Sequence, residues 1–590
     1  MIIRPPTFSR RGMVVASEPL AAAAGLLMLE RGGHAIDAVI AAGAVLAVIE
    51  PSASGLGGDA FLLVHEAGKA EPVALNGSGV APAGLTADRF AGLAAVPIHG
   101  PASATVPGAV AAWWDAHARW GRLPWREVLA PALRLAQEGF AVSLKLARAI
   151  RLYRETLARD PGLASLYLAP DGRPLRAGET VTPLPLAGTL SRLAEGGRDS
   201  FYHDETANSL VLGVDAAGGR IGAADLAQHQ SEWSTPYQLD INRRNELPLL
   251  LFEQPLPSQG LLLLVMQGLL DAAEEAAPGG DPWVRLHRQV EAKKVAFALR
   301  ECCLTDPRFL PVAASELVAA LCSEETLRSL SRLLLAEPLP VGLEVETVRA
   351  SLPGSARRLL DRVGAGAGVP GRPGSDTTYL CATDADGNGV GMIQSIFHVW
   401  GSGFLEPRTG ILLNNRAVGF SLDPRHVNCL LPGKRTLHTL NSYMIYRQGR
   451  PWLIAGTPGG DNQVQTNLQV VQHILHGSST WPGPAPMTAD HWSQARRLRV
   501  TERLPEAEAL AAALEAPRWR HDSEGGGTAV RIEARMPAEI RKRLARMGHP
   551  VVRIGPWEGS GYVQAIFLSP ETGCMIGATD PRGEGAALGI

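Results

Sequence analysis

Gly374-Ser375-Asp376-Thr377-Thr378-Tyr379-Leu380-Cys381-Ala382 is the junction on which the reading of the fold turns. Upstream, residues 350–376 read ASLPGSARRLLDRVGAGAGVPGRPGSD, whose second half offers little to a core, so a flexible tail is expected. Downstream, Thr378 to Ala382 has strand composition, Asp384-Ala385-Asp386-Gly387-Asn388-Gly389 supplies turn residues, and Val390 to Phe397 returns as a second strand. A threonine at such a boundary most simply begins the strand. A second reading has chemical content. If the Asp376–Thr377 bond is cut, Thr377 owns a free α-amine with an ordinary pKa of about 7.7–8.0, suited to act as base for its own hydroxyl. Such an enzyme needs no histidine triad, only backbone donors for an oxyanion.

Further along, Gly456-Thr457-Pro458-Gly459-Gly460-Asp461-Asn462-Gln463 follows the apolar run Trp452–Ala455 and precedes a helical pattern from Thr466 to His476. Paired glycines let two amide N–H groups converge on one point, although the same turn also serves as a plain strand-to-helix connection. Residues 19–31 and 34–49 read as two helices joined by Gly32-Gly33, with further helices at 129–138, 285–303 and 313–336. Residues 159–185 read as loop. Strands are expected at 60–64, 73–75, 444–446, 452–455, 530–532, 551–554 and 564–567. Helices alternating with sheet segments argue for a layered α/β or α+β architecture.

Composition excludes several classes. Across 590 residues, 56 basic and 58 acidic side chains leave a formal net charge of −2, which gives no bulk attraction to nucleic acid or an anionic membrane. The six cysteines form no CxxC pair, arguing against a disulfide scaffold or a four-thiolate zinc site. The sequence carries no GxSxG, HExxH or GxGxxG signature in a fitting context, and its histidines are scattered without ligand spacing. The apolar run after Asp37 ends at Glu50-Pro51, short for a membrane span, and the start does not read as a signal peptide. Cytoplasmic residence is the simplest expectation.

Several further segments fall into one series: Met13-Val14-Val15-Ala16-Ser17-Glu18-Pro19-Leu20-Ala21, Arg31-Gly32-Gly33-His34-Ala35-Ile36-Asp37-Ala38, Glu50-Pro51-Ser52-Ala53-Ser54-Gly55-Leu56-Gly57-Gly58, Asp376-Thr377-Thr378-Tyr379, Asn414-Asn415, Gly456-Thr457-Pro458-Gly459-Gly460, and Gly577-Ala578-Thr579-Asp580-Pro581-Arg582. In order and spacing this series resembles the gamma-glutamyltranspeptidases, or glutathione hydrolases, over nearly the whole chain. The resemblance implies an N-terminal nucleophile hydrolase, an α+β four-layer αββα sandwich. It implies self-cleavage between Asp376 and Thr377 into a large fragment, 1–376, and a small fragment, 377–590, which stay associated as one composite domain. Thr377 matches the nucleophile, Ser395 a hydroxyl that supports it, and Gly459 and Gly460 the oxyanion pair. No metal or organic cofactor is implied.

The substrate-binding positions depart from the glutathione-hydrolysing pattern. The arginine that grips the glutamyl α-carboxylate is replaced by Ser78, and the acid that binds the α-amine by Gly419. Arg416 stands at a usually neutral place, His438-Thr439 replaces a serine pair, and Phe397 replaces an asparagine. A hydroxyl cannot substitute for a guanidinium fork. The pattern resembles the divergent branch containing cephalosporin and glutaryl acylases and oxamate amidohydrolase. The implied activity is an amide hydrolase or acyltransferase using water or an amine as acceptor, with a small-molecule acyl donor that bears a carboxylate but no ammonium. Arg416 either meets that carboxylate or is a surface or interdomain residue; His438 and Phe397 either line the pocket or pack. Strict gamma-glutamyl transfer and an unprocessed, non-catalytic binding protein are the competing readings.

Overall fold

The computed structural model describes residues 3–241, 248–335, 345–363, 376–476, 505–521 and 529–590. Two seven-stranded sheets face each other. One runs in the order Ala586–Gly589, Gly12–Ala16, Thr378–Asp384, Gly389–Ser395, Asp59–His65, Val73–Gly77, Glu232–Ser234. The other runs Thr7–Ser9, Met575–Thr579, Gln564–Leu568, Arg450–Gly456, Tyr443–Arg447, Leu249–Glu253, Tyr237–Ile241. All the pairings within both are antiparallel.

Strand alternation builds the layers. Tyr379, Cys381, Phe61 and Leu63 point between the sheets, where they meet Phe252, Met444, Ile454 and Ile566. Leu380, Ala382, Leu62 and Val64 point outward under the helices Pro19–Glu30, Ala35–Ile49 and Ala109–Trp120. On the other sheet Leu251, Ile445, Leu453 and Phe567 lie under Gly260–Ala276, Pro282–Cys303 and Gln463–His476. The result is the expected four-layer αββα sandwich. Residues on both sides of the Asp376–Thr377 bond supply strands to each sheet.

Three expectations are corrected. Residues 159–185 are not all loop: Pro161–Tyr167 is helical, with Asp160 accepting the Leu163 N–H as its cap. The stretch 350–376 contains the helix Gly354–Val363, with Ala356 and Leu360 buried; residues 364–375 lie outside the described residues. The run at 313–336 breaks at Ser323, which caps a second helix, Glu324–Ser331. Among the described residues, no helix is long and apolar enough to cross a membrane.

Candidate active site

Thr377 lies one step beyond the strand pair Thr378–Gln394, which sets it opposite Ser395. Thr377 Oγ1 is 3.2 Å from Ser395 Oγ and 2.6 Å from the carbonyl oxygen of Asp376. Ser395 Oγ reaches the same carbonyl oxygen at 2.8 Å and accepts the Phe397 N–H at 2.8 Å. Phe397 has φ 82, a conformation costly for an aromatic residue, and its carbonyl accepts the Asp376 N–H at 3.0 Å. This strained residue therefore holds Asp376 directly and Ser395, the neighbour of Thr377, through its amide. Two hydroxyls thus meet at one carbonyl oxygen, and both polarise the Asp376 carbonyl.

The Ser17-Glu18 and Glu50 segments support the same junction from behind. Ser17 Oγ is 2.6 Å from Thr378 Oγ1 and donates to Glu50 Oε2 at 3.0 Å, while Lys145 Nζ pairs with Glu50 Oε1 at 3.0 Å. The terminal motif serves the fold instead: Arg582 binds Glu533 and Asp580, and Arg518 binds Asp580.

Beside Ser395 in the sheet, paired with it across the strands, stands Asp59. Sequence reasoning passed over this residue. Its Oδ1 accepts the Gly79 N–H at 2.9 Å; its Oδ2 takes Arg416 Nε at 3.2 Å and His438 Nε2 at 3.1 Å. Burial opposes ionisation of Asp59, yet the His438 hydrogen bond, the neighbouring cation and the Gly79 N–H together hold its carboxyl below the ordinary value. Burial, then Arg416, pushes His438 down to about 4. At neutral pH His438 thus offers Asp59 a hydrogen bond rather than a charge, and Arg416 supplies the balancing cation. Donation through Nε2 assigns the tautomer and leaves Nδ1 a lone-pair acceptor. Burial lowers Arg416 to about 10 against the pull of Asp59, so the guanidinium stays charged.

Arg416 is 1% exposed, which excludes the surface alternative. Its guanidinium lies 4.1 Å over the Phe397 ring, which itself stacks on His398. Asn414 fixes its backbone by accepting the Arg416 N–H at 2.9 Å and holding Thr105 and Gly57. Among the described residues, Arg416 Nη1 and Nη2 and His438 Nδ1 are buried without a hydrogen-bond partner. Two donors and one acceptor thus stand unanswered around a single carboxylate, next to Ser395.

The remaining positions divide. Ser78 is buried with its hydroxyl donated to Asn76 Oδ1 at 2.6 Å, one residue from the Gly79 N–H that caps Asp59. Gly459 and Gly460 have φ 128 and 55, conformations that disfavour any side chain, in the turn leading to the helix Gln463–His476. That helix end adds positive potential. Gln259 Nε2 donates to Thr439 O at 2.8 Å and to Gly460 O at 2.9 Å, tying the His438-Thr439 segment to the glycine turn. A Cβ on Gly456 would meet the Tyr379 ring at 2.5 Å, so the strand entering this turn packs against the residue two beyond Thr377.

Gly419 is not brought to the Asp59 cluster by any hydrogen bond. Its carbonyl accepts Asn428 Nδ2, and a Cβ there would lie 2.8 Å from Thr436 Oγ1. An acidic side chain has no room without moving Thr436. Gly419→Asp is expected to lower stability on the order of 1–3 kcal/mol, read in a denaturant midpoint, and to yield no gain in gamma-glutamyl hydrolysis. Unchanged stability with gained activity would contradict this packing account.

Fold and site define an amide-processing enzyme of N-terminal nucleophile architecture. The chain belongs to the gamma-glutamyltranspeptidase family, whose model matches residues 21–590. It is 32% identical to a glutathione hydrolase-like proenzyme, YwrD, of Bacillus subtilis, with 98% of each chain covered. It is 33% identical to an oxamate amidohydrolase proenzyme of Klebsiella pneumoniae, covering 98% of this chain and 99% of that one. Among solved structures, a cephalosporin acylase from Bacillus halodurans superposes with a TM-score of 0.79 at 32% identity, over 100% of this chain and 97% of that one.

Proposed function

We propose that this chain is a self-processing threonine amidohydrolase whose acyl donor carries a carboxylate and no α-ammonium. The observation that carries the reading is Arg416: charged, buried, fixed through Nε by Asp59, with both Nη groups unanswered beside Ser395. A carboxylate is the group that answers such a fork. The name of the Klebsiella relative adds support, since oxamate is the amide of an acyl group with a carboxylate and no ammonium.

Maturation proceeds by attack of Thr377 Oγ on the Asp376 carbonyl carbon. The Asp376–Thr377 C–N bond breaks, the nitrogen gains the hydroxyl proton, and an ester forms. Water then releases the Asp376 carboxylate and frees Thr377 Oγ. Fragments 1–376 and 377–590 stay together because each sheet contains strands of both. In turnover the α-amine of Thr377 takes the hydroxyl proton, Oγ attacks the substrate amide, and the Gly459-Gly460 amides receive the oxyanion. The amine leaves with the proton, and water or a second amine takes the acyl group. His438 and Ser78 are fully buried in the uncut chain.

Ser395→Ala removes one donor from the Asp376 carbonyl and the partner of Thr377 Oγ. A slowing of maturation, acyl transfer or both by several-fold to about 100-fold is expected, the equivalent of roughly 1–3 kcal/mol. Time courses on gels and steady-state hydrolysis test it; unchanged rates in both would reject the role. The donor class is tested by comparing kcat/KM of the processed protein on gamma-glutamyl, glutaryl, succinyl and oxamate amides. Preference for the anionic donors without an ammonium is expected, and a clear gamma-glutamyl preference would overturn the reading.

A further inference from the structure

Away from the Thr377 junction, three buried ligand-type side chains converge. His287 and Glu291 stand one helical turn apart on Pro282–Cys303 and so share a face. His549 comes from the small three-stranded sheet and its helix, Ala538–Arg546. That helix ends in a paired 6→1 and 5→2 hydrogen-bond cap: His549 N–H to Leu544 O at 3.1 Å and Gly548 N–H to Ala545 O at 3.0 Å, with Gly548 at φ 98. The cap fixes the direction in which His549 leaves the helix. Leu286 and Val290, flanking His287, pack into the core of this small sheet with Trp519, Ile540 and Leu544. Hydrophobic packing therefore sets the three ligands against one another.

His287 Nδ1 and His549 Nε2 are 2.9 Å apart, and Glu291 Oε1 lies 3.9 Å from the first and 3.7 Å from the second. The point equidistant from these three atoms lies about 2.1 Å from each, which is the length of a zinc–imidazole or zinc–carboxylate bond. We propose that His287, Glu291 and His549 form a binding site for a divalent transition metal of the zinc class, pinning residues on the two sides of the Asp376–Thr377 bond to each other.

Lys294 Nζ lies 2.9 Å from the same Glu291 Oε1. An ammonium and a dication compete for one carboxylate oxygen, so metal entry displaces the lysine, and Lys294 sets the affinity. This competition yields a variant that strengthens binding, which general damage to the fold cannot do. It also distinguishes the site from a hydrogen-bonded histidine pair with a neighbouring ion pair.

The test uses the full chain, freed of metal by a chelator and titrated with zinc or cobalt(II) against a chromophoric competitor. The expected result is one ion per chain, with a cobalt d–d spectrum that is altered in His549→Gln. Binding is expected to fall at least about tenfold in Glu291→Gln and to tighten at least about tenfold in Lys294→Met. A chain that binds no zinc, or binding that His549→Gln and Glu291→Gln both leave unchanged, would overturn the proposal. So would a Lys294→Met chain with unaltered affinity, because the ion would then lie elsewhere. Circular dichroism of each variant separates lost ligation from lost fold.

Discussion

Thr377→Ala is expected to yield one uncut chain of 590 residues with no measurable amide hydrolysis. The variant removes the oxygen that lies 2.6 Å from the Asp376 carbonyl oxygen and leaves the strand that follows it untouched. Ser395 Oγ also donates to that carbonyl oxygen and is engaged by the Phe397 N–H, but it does not belong to the residue whose nitrogen carries the acyl group, so it does not supply the N-to-O shift. On the proposed reading, in which Thr377 serves both maturation and turnover, the expected fall is at least about 10³-fold in kcat. Thr377→Ser keeps the oxygen and serves as the folding control, with maturation expected to continue at a reduced rate. A Thr377→Ala chain that still separates into two fragments at this bond would remove Thr377 from the chemistry.

Arg416→Lys is expected to lower kcat/KM by about 10- to 100-fold on donors with an acyl carboxylate and by less than about threefold on uncharged acyl anilides of the same length. Lysine keeps a cation for Asp59, so the variant spares the buried carboxylate the several kcal/mol that an unpaired charge costs. What it loses is the fork. Arg416 spends Nε on Asp59, and its two Nη groups remain for a ligand. A lysine ammonium at that depth binds Asp59 or the ligand, not both in fixed geometry. Arg416→Ala goes further and is expected to destabilise the chain as well, through Asp59. Equal losses on anionic and neutral donors in Arg416→Lys would assign the guanidinium to packing against Phe397 rather than to recognition.

The strand after Thr377, the hairpin and the glycine turn were legible in the sequence because they are local. The junction, the hairpin that follows it and the Gly459-Gly460 turn each depend on residues within a few positions. The Pro161–Tyr167 helix was hidden by glycines and prolines on both sides, although Asp160-Pro161 is itself a helix start. In Gly354–Val363 the apolar positions 356 and 360 have helical spacing, but the glycine-rich run after it dominated the composition. Asp59 was missed for a different reason. It lies directly after Gly57-Gly58, yet its importance comes from partners 357 and 379 residues away, and strand pairing alone brings them together. The same holds for His549 and His287, 262 residues apart, where only one half of the cluster has helical spacing. Arg416 carried a sequence signal as a departure from the family pattern; its burial and its bond to Asp59 did not.

The central claim, that Thr377 becomes the N-terminus of a catalytic fragment, is tested most directly by intact-mass spectrometry of the freshly purified wild-type chain over time, with terminal sequencing of the smaller product. Conversion of the full chain into two fragments that co-purify is expected, the smaller beginning at Thr377, with amide hydrolysis appearing in step with the cut. A chain that hydrolyses amides while remaining whole, or a smaller fragment beginning at any other residue, would contradict it.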